Sequence, residues 1–466
     1  MKTIDQIAAE LAGYDPQSLR ADKVNAFLSK LVTPVAEVET VVLFDALDRV
    51  LAQDVISPIS VPPHDNSAMD GYAFNGAELA PDAPLRLTII GTALAGKAWQ
   101  GVASQGQCVK IMTGAIMPAG LDTVVPQELV TLEAEKSQIC IAPRTLQAGD
   151  NRRKAGEDLM QGQSALQQGA LLTPAALGLL ASVGLATVNV YRKVRVAYFS
   201  TGDEILSLGE APREGAVYDS NRYTVFGLLK RLGCEVIDLG VVRDIPELLE
   251  AAFLEAASVA DAIITSGGVS VGEADYTRAM MKKLGANSGG VAFWKIAMRP
   301  GRPMAVGRIS STIEIKFGTS RHDINPDSYE NSSKNQVLHV NDDDNAGFHS
   351  AVLFGLPGNP VAVMVTFLAF VRPALLRMMG CTTQSPPLLK ARSLEAIRKK
   401  PGRTEYQRGT VSTAPDGSLL AQTTGNQGSG VLSSMVQANG LIVLHHDQGS
   451  VAVGDEVDVM MFHGVI

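Results

Sequence analysis

From Val194 onward, apolar runs of strand length alternate with stretches of helical length, and no other feature restricts the fold of this chain so tightly. VRVAYFS, CEVIDLGVV, ADAIIT and AVLFGL read as strands, with DSNRYTVFGLLKRLG, PELLEAAFLEAASV and TRAMMKKLG as helices. The first of these helices is capped by Asp219 or Ser220 and closes at Gly233. The stretch VAVMVTFLAFVRPALLRMM is apolar nearly all round, which predicts a buried helix. Such alternation implies a largely parallel sheet, in which ligands sit outside the carboxyl ends of the strands.

The loops at that edge carry the chemistry. In Asp261 to Arg278, DAIITSGGVSVGEADYTR, a buried strand stops at Ser266-Gly267-Gly268, where backbone N–H groups can turn toward an anion without Cβ interference. Glu273 and Asp275 follow, so the segment suits a phosphate held beside carboxylates that bind a divalent ion, or a plain loop with an acidic helix start. Glu204, Asp244, Asp275 and the 357–360 turn each follow a strand, and scattered surface acids would not fall so regularly. One sheet edge should therefore gather an active site.

At 466 residues the chain exceeds one core and should divide into about three or four domains. Aromatic content of 5% and a formal net charge of −8 argue against a nucleic-acid partner, though a local basic pocket for a small anion is compatible with both. Cys108, Cys140, Cys234 and Cys381 are far apart and form no C-x-x-C pair, so neither a disulfide framework nor a zinc site is indicated, and a reducing cytoplasm fits. The N-terminus lacks the apolar run of a secretory signal. The most apolar window, Ala351 to Leu376, is broken by Pro357-Gly358-Asn359-Pro360 and carries Arg372, which suits a strand, turn and buried helix rather than a membrane span.

Upstream, Pro58, Pro62 and Pro63 mark a boundary near residue 60. HDNSAMDGYAF crowds polar groups around Asp70, compatible with a site or with an Asx-turn leading into a β-domain. Short β-type runs between Leu85 and Ala142 predict a small all-β insert, in which Ile111-Met112-Thr113-Gly114 meets a ligand or ends a strand. NRRKAGED places three cations directly before Glu157 and Asp158, as a mixed binding turn or a solvated one. Thr173 and Pro174 start a helix reaching Ser182, and after Pro386 short runs with glycine turns predict a small β-barrel or sandwich.

Taken together, DNSAMDGYA, IMTGA, RRKAGED, FSTGDE, SGGVSVGEADY, FWKIAMRPGRP and GLPGNPV resemble, in order and over nearly the whole chain, the molybdopterin molybdenumtransferase (MoeA) family, which is similar to the C-terminal domain of gephyrin. The resemblance implies an α/β multidomain protein. A discontinuous linking and dimerisation domain would span 1–60 and 147–190, with a β-rich insert at 61–146. A molybdopterin-binding domain with a mostly parallel sheet would span 191–385, and a C-terminal β-barrel 386–466. It further implies a cytoplasmic homodimer that combines adenylylated molybdopterin with molybdate and releases AMP, with transient contacts to the molybdopterin adenylyltransferase and to acceptor apoenzymes.

Carried over by motif, catalytic roles fall on Asp70, Asp158, Glu204, Lys295 and Arg299, and magnesium on Asp244 and Asp275. Substrate binding falls on Thr113, Thr201, Gly202, Ser266, Gly267, Gly268, Ser270, Pro357, Gly358, Asn359, Pro360 and Ser429. The residue types suit the chemistry: a cation bridging phosphate to carboxylates polarises the bond to be cleaved, and Lys295 and Arg299 can hold an oxyanion. In the dimer, the resemblance has the loops around Asp70 and Asp158 close the cleft of the second subunit.

Two departures stand out. Arg299 occupies a position that is commonly Lys, which keeps the charge but substitutes a planar fork. Ser311 to His349 has no counterpart in the family pattern, holds three Lys or Arg against seven Asp or Glu, and should be a surface excursion between neighbouring strands at the end remote from the PGNP turn. Two other functions stay open: adenylyl transfer to the pterin, which shares the molybdopterin-binding domain but would need no extra domains such as those carrying RRKAGED and SAMDGYA, and a scaffold that binds pterin or a partner protein without turnover, against which the carboxylate set argues.

Overall fold

The computed structural model describes residues 2–133, 137–269, 276–311, 349–382 and 387–462. The chain forms two compact units, Met1–Glu37 with Tyr191–Ile466, and Val38–Val190.

The larger unit is built on the expected sheet. Its strands are β1 (Arg195–Thr201), β2 (Glu235–Val242), β3 (Ala262–Ser266), β4 (Val291–Lys295), β5 (Pro303–Ser311) and β6 (His349–Leu356), in the order β2-β1-β3-β6-β5-β4. The first four in that order are parallel and the last two pairings antiparallel. Ser200 pairs with both Val241 and Ser266, and Ser266 with Leu356, so four strands end at one edge. Every residue of β3 is buried, as a strand covered on both faces requires. Helices α1 (Ser220–Arg231), α2 (Pro246–Val259) and α3 (Tyr276–Gly285) lie where the alternation places them, and α2 and α3 share a core with Ala197, Phe199, Ile263, Ala305 and Leu353.

At the amino-terminal end of the sheet, Arg192 donates two hydrogen bonds of 3.0 Å to Asp261 and two, of 2.8 and 3.1 Å, to Glu37. Asp261 also accepts from the Arg195 N–H at 2.7 Å. The Asp261 carboxylate keeps the Arg192 guanidinium protonated well above its usual range, against the opposing effect of burial.

The edge strand β4 is covered by the chain's own N-terminal segment. Pro16 O accepts from Lys295 N–H at 2.8 Å, and Leu19 O from Ala297 N–H at 2.8 Å. Trp294 donates to Tyr14 Oη at 2.9 Å, and its ring meets Phe27 edge-on at 4.9 Å. An exposed edge would invite pairing with another chain, and this segment removes it.

Beyond β6, the apolar stretch Pro360–Met378 is the one helix among the described residues long and apolar enough to cross a membrane. Since 83% of its apolar window is buried inside the protein, it is a core helix, as its all-round apolar pattern implies. Residues 389–461 close into a barrel in which Thr404–Thr413, Leu419–Thr423, Leu389–Ser393, Glu456–Met461 and Gly440–Leu444 follow one another, with Gly440–Leu444 pairing back on Thr404–Thr413. Closure leaves no free edge.

The excursion after β5 begins where the sequence places it. Ser311 pairs with His349 across adjacent antiparallel strands, at the end of β6 opposite the PGNP turn. Both residues are strand members, so the excursion proper is 312–348, which lies outside the described residues.

The smaller unit holds a six-stranded sheet between Gly71 and Ile141, with buried clusters around Ala73, Val109 and Val124 and around Phe74, Leu87 and Ile139. A further cluster gathers Leu51, Leu172, Leu180 and Val190 around the helix Pro174–Ser182, which Thr173 caps as its hydroxyl predicts. None of the four cysteines forms a disulfide, and burial pushes Cys108 and Cys234 up to about 12, leaving them without thiolate character.

Candidate functional site

The edge where β1, β3 and β6 end opens into a cavity of about 500 Å³. Thr201, Glu204, Ser266, Gly267, Gly358, Asn359 and Pro360 line it, so these sequence-derived residues are brought together by one sheet edge. Gly202 and Gly267 make the close approach possible: Gly267 has φ +93°, and a Cβ there would lie 2.6 Å from Thr201 O. Gly268 has φ +63° and abuts Thr277 in the same way. Gly267→Ala is therefore expected to destabilise the protein by about 1–3 kcal/mol and to distort the cavity floor, measured by urea denaturation; unchanged stability would remove the steric argument.

Asp244, after β2, is fixed rather than free. It accepts from the buried Thr277 hydroxyl at 3.2 Å, and its N–H donates to Asp203 Oδ1 at 3.3 Å. The Asp203 carboxylate is thereby held against the Asp244 backbone, and among the described residues no group of three or more His, Cys, Asp or Glu gathers as a metal-binding cluster. Ser270, Glu273 and Asp275 lie outside the described residues.

Ser429 reaches the PGNP turn from the barrel region. Its Oγ accepts from Asn359 Nδ2 at 3.0 Å and its carbonyl from Val361 N–H at 3.1 Å. The loop carrying it is held by the buried Arg408, which donates to Ser434 Oγ at 3.0 Å and to Gly428 O at 3.0 Å. Burial, with the Arg299 charge as a second cause, lowers Arg408 to about 10. Arg299 itself is exposed on a short strand beside Thr404–Glu405 and does not line the 500 Å³ cavity. Pro357, buried at the head of its turn, does not line the 500 Å³ cavity either.

Lys295 belongs to a second cavity of about 380 Å³, lined by Gln17, Val269, Arg278, Phe293, Trp294, Arg302 and Pro303. Three cations converge there, and the Arg278 guanidinium lies 4.4 Å from the centre of the Phe293 ring. Such a pocket suits a multiply charged oxyanion. Sequence reasoning missed Gln17, Arg278 and Arg302. The basic spacing of WKIAMRPGRP could have pointed to Arg302, whereas Gln17 arrives only because the N-terminal segment pairs with β4.

In the smaller unit, three motifs distant in sequence meet. Asp70 Oδ1 accepts from both the N–H and the hydroxyl of Thr113, each at 2.7 Å, and these bonds hold its carboxyl below the usual range. Arg152 and Arg153 pair with Ser67 and Asn66, and Asp65 accepts from Ala155 N–H at 2.8 Å. Asp158 is exposed at the end of this same turn, its N–H bonded to Val61 O at 3.1 Å.

Comparison with known proteins bears on the chain as a whole. Residues 19–184 match the MoeA N-terminal region (domain I and II), 197–377 the probable molybdopterin binding domain, and 390–462 the MoeA C-terminal region (domain IV). The chain is 40% identical over 425 residues to a molybdopterin molybdenumtransferase of Haemophilus influenzae, covering 91% of this chain and 94% of that one. Its counterpart in Bacillus subtilis is 33% identical over 429 residues, 91% and 90% of the two chains. Among solved structures, a molybdopterin biosynthesis moea protein from Pyrococcus horikosii superposes with a TM-score of 0.66 at 28% identity, over 96% and 99% of the two chains. A relative this similar over nine-tenths of the length, with glycine turns and carboxylates gathered at the sheet edge, leaves one conclusion: the chain belongs to the molybdopterin molybdenumtransferase family.

Proposed function

We propose that this protein inserts molybdenum into adenylylated molybdopterin in molybdenum cofactor biosynthesis, with molybdate as second substrate and AMP as product. The observation that carries the reading is the 500 Å³ cavity, where glycine turns, hydroxyls, Glu204 and the PGNP turn converge at the carboxyl edge of the sheet. A nucleotide-bearing ligand fits such a place because the glycine backbone of the 357–360 turn can approach phosphate oxygens without side-chain interference, while the Gly267 N–H is committed to Leu356 O at 3.2 Å. Lys295, with Arg278 and Arg302, offers the oxyanion its counter-charge.

Magnesium suits the neighbouring acids, since that ion is usually held through one or two carboxylates together with substrate phosphates. Asp244 and Asp275 are the proposed ligands on kinship, and Asp203 lies at the Asp244 backbone. Bound there, the ion would neutralise phosphate charge. Asp244 keeps its orientation through Thr277, and Lys295 keeps its position through the backbone pairing of β4 with Pro16 and Leu19. A cytoplasmic homodimer, transient contacts with the adenylyltransferase and acceptor apoenzymes, and functional roles for Asp70, Thr113 and Asp158 complete the proposal on the same kinship.

The test is to load purified protein with adenylylated molybdopterin, add molybdate and magnesium, and quantify AMP. Stoichiometric AMP release dependent on molybdate is expected. Binding without release would assign a scaffold, and consumption of ATP with free molybdopterin would assign adenylyl transfer.

A further inference from the structure

Two side chains at the start of α1 have polar atoms that no described residue satisfies. Asp219 is 4% exposed and Asn221 8%, and both line the 500 Å³ cavity. Asp219 Oδ1 is committed to the helix, accepting from Arg222 N–H at 3.0 Å, while Oδ2 is buried with no partner among the described residues. Asn221 Nδ2 donates to Gly358 O at 2.7 Å, which fixes the amide orientation because a carbonyl can only accept. Its Oδ1 is likewise buried and unpartnered.

A buried acceptor without a donor is destabilising, and two at one cavity wall are unusual in a folded chain unless a ligand completes them. We propose that Asp219 and Asn221 form an acceptor pair that reads the exocyclic amine of a bound amino-heterocycle. The proposal rests on the nucleotide-bearing substrate inferred above. A primary amine on an aromatic ring presents two N–H donors in the ring plane, one for each oxygen. A carbonyl at the same ring position would face both acceptors with lone pairs and be rejected, since a site built around a hydrogen bond discriminates strongly against an analogue that lacks it. Adenine and pterin both carry such an amine, so the chemistry is shared and the source is decided by experiment. On the rest of the wall the Ser200 and Ser266 hydroxyls are engaged with each other and with Tyr198 Oη, and the Gly267 N–H with Leu356 O, so among the lining residues Asp219 contributes the buried carboxylate.

The test is equilibrium binding by calorimetry on the full-length protein with two ligand pairs in which a carbonyl replaces the amine and the adjoining ring nitrogen gains a proton. These are AMP against inosine 5′-monophosphate, and pterin-6-carboxylate against lumazine-6-carboxylate. The wild-type protein should prefer the amine by at least about tenfold in the pair whose ring occupies the site. Asp219→Asn keeps the helix cap, because asparagine caps as well as aspartate, but turns the free acceptor into a donor. It should bring that preference to about unity or reverse it. Should Asp219→Asn fail to fold, Asp219→Ser retains a cap, removes the free oxygen and should likewise lose the preference.

Wild-type ratios near one in both pairs would overturn the inference, as would an unaltered preference in Asp219→Asn. Equal weakening of amine and carbonyl ligands, accompanied by lost magnesium uptake, would also overturn it and make the pair a cation site. The proposed reaction fails separately, by absence of AMP release in a protein that still prefers the amine.

Discussion

Lys295→Ala is expected to lower molybdate-dependent AMP release by about 10²–10³-fold, the usual consequence of removing one charge-stabilising donor from a reacting oxyanion. The lysine lies in a cavity with Arg278 and Arg302, and β4 holds its backbone through two hydrogen bonds to the N-terminal segment, so truncation removes charge without loosening the strand. Thermal stability should therefore stay within about 1 kcal/mol of the parent. Lys295→Arg should recover part of the rate, since the charge returns with a different shape. Single-turnover release of AMP measures both. Full activity of Lys295→Ala would place the oxyanion elsewhere, with the exposed Arg299 as the next candidate.

Arg192→Met is expected to destabilise the larger unit by about 3–5 kcal/mol, because it leaves Asp261 charged at the amino-terminal end of the sheet without its counter-ion. The two side chains are 16% and 14% exposed, and the guanidinium also binds Glu37 and the Lys193 carbonyl. The Arg195 N–H would remain on Asp261, which keeps the loss from being larger. Urea denaturation gives the value. The double variant Arg192→Met with Asp261→Asn should lose less than the two single variants summed, since each removes the same pair. A loss below about 1 kcal/mol for Arg192→Met would mean that solvent already screens the pair.

Much of the sheet was legible because its signals are local. A fully buried strand needs a continuous apolar run, so Ala262–Ser266 could be read directly, and Asp219 and Gly233 bracket their helix through chemistry confined to a few residues. The gathering of Glu204, Gly267 and the 357–360 turn was legible for a related reason. Parallel strands with right-handed crossovers deliver all following loops to one edge, so knowing that each loop follows a strand is enough. The spacing of SAMDG, IMTGA and RRKAGED, by contrast, carried no local sign that Asp70 would take both hydrogen bonds of Thr113.

By itself the sequence determined which elements form, the edge at which the loops collect, the kinship that names their chemistry, and the burial of the long apolar helix at 360–378. Each depends on periodicity, caps and motif order, which are properties of neighbouring residues. Only the tertiary structure decided that Gln17 and Lys295 share a cavity, that Arg408 holds the loop of Ser429, and that Asp219 and Asn221 keep one oxygen each unpaired among the described residues. Those facts depend on which distant segments come into hydrogen-bonding distance and on which polar atoms remain after every pairing is made. Asp219 shows the division most clearly: the helix cap was visible in its residue type, whereas its second oxygen acquired meaning only once the rest of the cavity wall was in place.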